Sequence, residues 1–167
     1  MPVAKADYLQ LLNEAVAQLV SGRTTQALVA DLKQQEPHTE EPFVWSAIDL
    51  ETITTRLPEN IKSCWIFVLK KDAPSGCHYH PNSIQHMVMI EGAGTSKVGT
   101  SEGEMRLFGS LGDSPGETWY VIPERVPHEF FPKGSDVVVV SFHTCESDEL
   151  EEISCNDGAA RTDPRST

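Results

Sequence analysis

Basic residues are scarce in this chain: 13 Lys and Arg stand against 25 Asp and Glu, for a formal net charge of -12. A surface this acidic repels polyanions, and no Lys/Arg cluster offsets it, so neither nucleic acid nor an anionic membrane is an expected partner. Long apolar runs are also missing. None approaches the roughly 18 residues that span a bilayer, and no charged stretch leading into an apolar one marks a secretory leader. A cytoplasmic location is the expectation. Cysteine is limited to Cys64, Cys77, Cys145 and Cys155, without the CxxC spacing of a zinc site or the density of a disulfide scaffold, so reduced thiols are expected. Repeats and low-complexity arrays are absent, and 167 residues that are 39% hydrophobic suffice for one domain with its own core.

What is present divides into three segments. Residues 1–42 carry a helical extension and a linker. Leu9, Leu12, Val16, Leu19 and Val20 make one apolar helical stripe over 7–20, with Asp7 and Gln10 spaced as a capping box and Gly22 ending it. A second helix over 25–35 shares a face through Leu28, Val29 and Leu32 and stops before Pro37. Residues 43–146 then read as β. Short apolar runs at 61–70, 77–80, 84–90, 95–98, 105–108, 118–122, 129–131 and 137–144 are separated by turns such as Gly92-Ala-Gly94 and Ser101-Glu-Gly103. Many short strands with Gly/Pro turns predict an all-β sandwich or barrel. Residues 147–167 open on an acidic run and continue small and polar, which predicts a disordered tail.

Chemistry concentrates in His78, His80, Gln85 and His128. Imidazoles at i and i+2 leave the same face of a strand and can chelate one ion. Gln85 lies far enough past His80 for a bend at Pro81-Asn82-Ser83 and a return to that face, while His128 arrives from a distant strand. Neutral imidazole is the commonest protein ligand for the later transition metals.

Two spaced motifs over residues 60–145 make the chain resemble the cupin superfamily. His78, His80, Gln85 in the position of the family's glutamate, and Gly92 follow the first motif, with its spacings intact. Pro123 and His128 follow the second, with Arg125 where the inner glycine is expected and Pro132 where the asparagine is expected. The resemblance implies a double-stranded β-helix (jelly-roll) barrel that holds one divalent transition ion, Zn, Ni, Fe, Mn or Cu, through His78, His80, Gln85 and His128. A similar ligand set, His-x-His-x4-Gln with a later His, occurs in small cupins that linearise unsaturated uronic acids.

Strand alternation from Gln85 turns Met87 and Met89 inward with it and His86 outward, and Phe130 follows His128 inward. These side chains are the expected walls of a substrate pocket. Four neutral donors leave a divalent ion its full charge, which favours a small anionic ligand. On the last strand either Val137, Val139, Ser141 and His143 face the core, or Val138, Val140 and Phe142 do; an apolar run on both faces does not decide between them. In the first case His143 is a candidate proton shuttle. The expected functions are isomerase, lyase, cyclase or dioxygenase chemistry on a small oxygenated metabolite, with a non-catalytic binding or sensory module as the alternative. The same two-faced strand, with Trp45, Trp65 and Trp119, needs cover, from a second copy in a homodimer or from the N-terminal helices.

Overall fold

The computed structural model describes residues 5–109 and 115–161. Two helices, α1 (Lys5–Ser21) and α2 (Arg23–Gln35), precede the strands β1 (Phe43–Ile48), β2 (Ser63–Leu69), β3 (His78–Tyr79), β4 (Gln85–Glu91), β5 (Gly94–Val98) and β6 (Ser101–Glu104). A single helical turn, α3 (Pro115–Thr118), leads to β7 (Tyr120–Ile122), β8 (His128–Pro132), β9 (Val137–His143), β10 (Glu152–Ser154) and β11 (Ala160–Arg161). The strands form two sheets, ordered β1-β2-β9-β4-β7 and β11-β10-β3-β8-β5-β6, with antiparallel pairing between neighbours. This is the double-sheet jelly roll that the sequence predicts.

The five-stranded sheet is apolar on both faces because both are covered. One face sends Leu69, Met87, Met89, Val137 and Val139 into the barrel, where they meet Phe130, Ile122 and Met105. The other sends Cys64, Ile66, Val68, Val88, Val138, Val140 and Phe142 against Leu9, Leu12, Val16, Leu19 and Leu32 of the helices. The apolar stripe of α1 therefore has its partner, at roughly 2 kcal/mol for each fully buried aliphatic side chain. The helices thus cover the sheet face that a second copy would otherwise bury. His86, expected outward, does leave the barrel side, yet it is buried and its ring packs 5.1 Å from that of Tyr8 in α1.

Two local expectations are corrected. The turn expected at Ser101-Glu-Gly103 instead belongs to strand β6, which pairs with β5, whereas 105–108 forms none of the named strands. Exposed polar residues gave β6 no apolar alternation to detect. Gly92 has φ +97, and a side chain there would press on the backbone of Asp136 and Val137, so this motif glycine serves the turn.

The C-terminal expectation also fails for its described part. β10 pairs with β3, placing Ser154 opposite His78 and Ile153 opposite Tyr79, and β11 pairs with β10. Leu150 is buried against Trp65 and Cys145. Cys77 and Cys155 form a disulfide with Cα atoms 5.4 Å apart. That corrects the expectation of four reduced thiols to two, Cys64 and Cys145. Strand pairing brings together two cysteines that are 78 positions apart in sequence, which composition cannot reveal. Residues 162–167 lie outside the described part of the chain.

Candidate metal centre

Strand pairing and a bend place the histidines of the candidate ligand set. His78 belongs to β3, which pairs His78 directly with His128 of β8. His80 follows β3 at the bend, and its carbonyl accepts the Arg125 N–H at 2.8 Å. Arg125 itself has φ 64, the left-handed backbone that favours glycine. Its backbone thus adopts the glycine conformation of the second motif without being glycine, and its side chain stands exposed rather than in the site.

The three imidazoles converge. One nitrogen from each of His78, His80 and His128 lies within 4.8 Å of the other two. The remaining nitrogens fix the tautomers. Nδ1 of His78 lies 3.0 Å from the Gly76 carbonyl, that of His80 2.8 Å from the Glu151 carbonyl, and that of His128 2.9 Å from the Val126 carbonyl. A carbonyl oxygen only accepts, so each Nδ1 carries a proton, and in the neutral ring Nε2 presents a lone pair. Nε2 of His128 is buried and has no hydrogen-bond partner.

Gln85, the fourth expected ligand, is held by a directed chain of hydrogen bonds. Its Nε2 donates to Ser141 Oγ at 2.9 Å; Ser141 Oγ lies 3.1 Å from His143 Nε2, and His143 Nδ1 lies 3.0 Å from Ser83 Oγ. Since Ser141 accepts from the amide, its proton goes to His143 Nε2, leaving His143 protonated at Nδ1 toward Ser83. That order points the amide nitrogen of Gln85 away from the histidines. Its Oε1 is buried without a partner. Two of the candidate ligand atoms, His128 Nε2 and Gln85 Oε1, are buried and unsatisfied, which a divalent cation would relieve, because an unpartnered buried polar group is otherwise a direct cost.

Burial disfavours protonation of three of the rings. Burial, reinforced by the neighbouring His78, holds the His80 imidazole at about 4. Burial pushes His128 and His143 well below the usual histidine value, with the surrounding imidazoles adding to it. Neutral rings are the form that binds metal.

Inward of the histidines, a cavity is lined by Met87, Phe130, Phe67, Leu69 and Val139, with Glu152 at its edge. Met87 and Phe130 therefore line it. Met89 is buried deeper in the barrel core and is not part of that lining. His143 sits at the cavity wall, fully buried, with both ring nitrogens engaged. Strand parity thus placed it inside, in a hydrogen-bonding position closed to solvent. The sequence reading missed Glu152, whose Oε2 is 3.8 Å from His78 Nε2, and the Ser83–Ser141 relay. It also missed Asn82, whose side chain donates to the Glu149 carbonyl and accepts from Glu151 N–H. Glu152 lay in the segment taken for a tail; the Ser141-x-His143 spacing on one strand was the signal available for the relay.

Solved structures share this architecture. A mutant salicylate 1,2-dioxygenase from Pseudoaminobacter salicylatoxidans in complex with gentisate superposes with a TM-score of 0.59 at 11% identity, over 80% of this chain and 36% of that one. The coconut allergen cocosin gives 0.52 at 16% identity, over 70% and 29%. The chain has the cupin fold. The 11S globulin from Wrightia tinctoria, whose structure reveals an auxin binding site, gives 0.52 at 13% identity, over 70% of this chain and 28% of that one. The chain thus spans about a third of the length of these proteins. No protein-family model and no curated protein matches it.

Proposed function

We propose that this cupin is a metal-dependent enzyme acting on a small oxygenated molecule, with one divalent transition ion, Fe, Mn, Ni, Zn or Cu, held by His78, His80, Gln85 and His128. The observation that carries the reading is the convergence of one nitrogen from each of His78, His80 and His128, with Gln85 lining the same cavity as His78 and His80. Each imidazole Nδ1 is tied to a backbone carbonyl, and the buried His128 Nε2 and Gln85 Oε1 have no partner of their own. When bound, such an ion supplies Lewis-acid polarisation of a substrate oxygen and, if redox-active, activation of dioxygen.

Within that reading the residues have separate tasks. His78, His80 and His128 present preset lone pairs; Ser141, His143 and Ser83 keep the Gln85 amide oxygen turned to the site. Met87, Phe130 and Val139 exclude water from the substrate side. His143, the proton-shuttle candidate, acts here through Gln85, since both of its nitrogens are occupied and it is sealed from solvent. With His143 unavailable as a base, isomerase or lyase chemistry would have to rely on Glu152 in the cavity lining, and dioxygen addition, which needs no such base, is the reading preferred. The similarity to salicylate 1,2-dioxygenase supports the same choice. A second reading, a non-catalytic small-molecule binder, draws on the auxin-binding 11S globulin of the same fold.

The test is oxygen uptake by protein loaded separately with Fe(II), Mn(II), Ni(II) or Zn(II), against a panel of small phenols, 2-oxo acids, amino acids and amines. Consumption matched to product formation with a redox-active ion only is the expected result. Saturable binding of a panel member without turnover under any ion would move the assignment to the binder.

A further inference from the structure

The approach to the histidines is walled by carboxylates. Beside the inner cavity lies an outer one of about 230 Å³, and the two share Phe43, Ser75, His78 and Glu152. Glu41 and Asp157 also line the outer cavity, and among the described residues lining either space there is no Lys or Arg. Acidic side chains alone would not define a site. Here they lead to Gln85, 6% exposed, whose unpartnered Oε1 belongs to a residue lining the inner cavity.

Glu152 is the best placed of the three. Its carboxylate lies 3.8 Å from His78 Nε2, and its side chain is 25% exposed, so water screens it less than a surface group. Its position is secured on both sides. Glu151 N–H donates to Asn82 Oδ1, Ile153 pairs with Tyr79, and Cys155 is bonded to Cys77. The chain's net charge of -12 draws cations toward this mouth and repels anions over longer range.

We infer that the site selects a small molecule bearing a cationic nitrogen, which pairs with Glu152 while the molecule's metal-seeking atoms enter among His78, His80 and His128. The inference rests on the metal-centre reading above and replaces the expectation of an anionic ligand. That expectation counted four neutral donors and did not include Glu152. An anionic substituent in the same place would face like charge on a partly dehydrated wall, whereas an ammonium there gains a charge-assisted hydrogen bond.

Three hydroxamates with one metal-binding head separate the effects: 2-aminoacetohydroxamate with an ammonium tail, acetohydroxamate with a methyl, and malonomonohydroxamate with a carboxylate. Calorimetric titration of the full metal-loaded chain gives their affinities, and metal content is measured on the same samples. The ammonium compound should bind about fivefold more tightly than the methyl compound, the upper range of a partly exposed ion pair, and the carboxylate compound most weakly. Glu152→Gln should keep its metal and bring the ammonium and methyl compounds within about twofold, since the charge alone is removed. Equal affinities in the wild type would overturn the inference and leave the metal centre standing. Loss of metal in Glu152→Gln would overturn it too, by making Glu152 a ligand to the ion. Failure of the wild type to take up any metal would remove the underlying reading, and this inference with it.

Discussion

Breaking the Cys77–Cys155 disulfide should destabilise the whole chain and loosen one wall of the site. The bond closes a loop whose ends are 78 positions apart. In the chain-entropy treatment, a loop of that length lowers the entropy of the unfolded state by about 15 cal/mol/K, or about 4.5 kcal/mol at 25 °C. With a urea slope of about 2 kcal/mol/M for a domain of this size, the unfolding midpoint should fall by about 2 M. Part of that loss will appear locally. β10 is held by two residue pairs to β3, by Asn82, by Leu150 and by the hydrogen bonds of His80 to Glu151 and of Cys155 to Cys77, few enough contacts that the reduced strap can open before the barrel unfolds. Trp65 and Trp119, both buried, report the transition by fluorescence, with and without reductant and in Cys77→Ser/Cys155→Ser. A thiol count on the unfolded protein should give two groups without reductant, from Cys64 and Cys145, and four with it. Four thiols without reductant, or a midpoint indifferent to reduction, would refute the reasoning.

Arg125→Gly should raise stability by about 1 kcal/mol, because φ 64 strains a residue with a side chain and suits glycine; an unchanged or lower unfolding midpoint would count against that account. Acid should destabilise the metal-free protein. Burial, against a backbone hydrogen bond at Phe142, holds His86 at about 4 in the folded chain, whereas in the unfolded chain it titrates near about 6.5. Between those values the unfolded state binds more protons, so this contribution is complete above about pH 6.5 and is lost as pH falls to about 4, up to about 3 kcal/mol. His86→Phe should show a shallower acid slope in urea midpoints measured from pH 7.5 to 4.5, and an identical slope would contradict this.

Strand alternation from Gln85 correctly separated the side chains of β4 into those facing the barrel and those leaving it, since every second side chain shares a face. It did not show that His86 and Val88, on the other face, are buried as well, because the cover comes from α1 and α2, far away in sequence. For the same reason β9 was undecidable: Val137 to Val140 meet the barrel interior on one side and the helices on the other, so hydrophobicity carries no parity. The C-terminal strap was misread because its composition is that of a solvated segment. Its order comes from Leu150, Ile153 and Cys155, three positions whose partners Trp65, Tyr79 and Cys77 are supplied by other strands. The acidic wall of the site was hidden with it.

The central claim is that His78, His80, Gln85 and His128 hold one ion, and metal stoichiometry tests it most directly. The wild type, His80→Ala, His128→Ala and the double variant would be stripped with chelator, loaded with Fe(II), Zn(II) or Co(II), passed through gel filtration and analysed for metal, with circular dichroism to confirm folding. The wild type should retain one ion per chain and the folded variants close to none, since loss of one imidazole breaks the chelate. Full occupancy in a folded His80→Ala/His128→Ala protein would contradict the account.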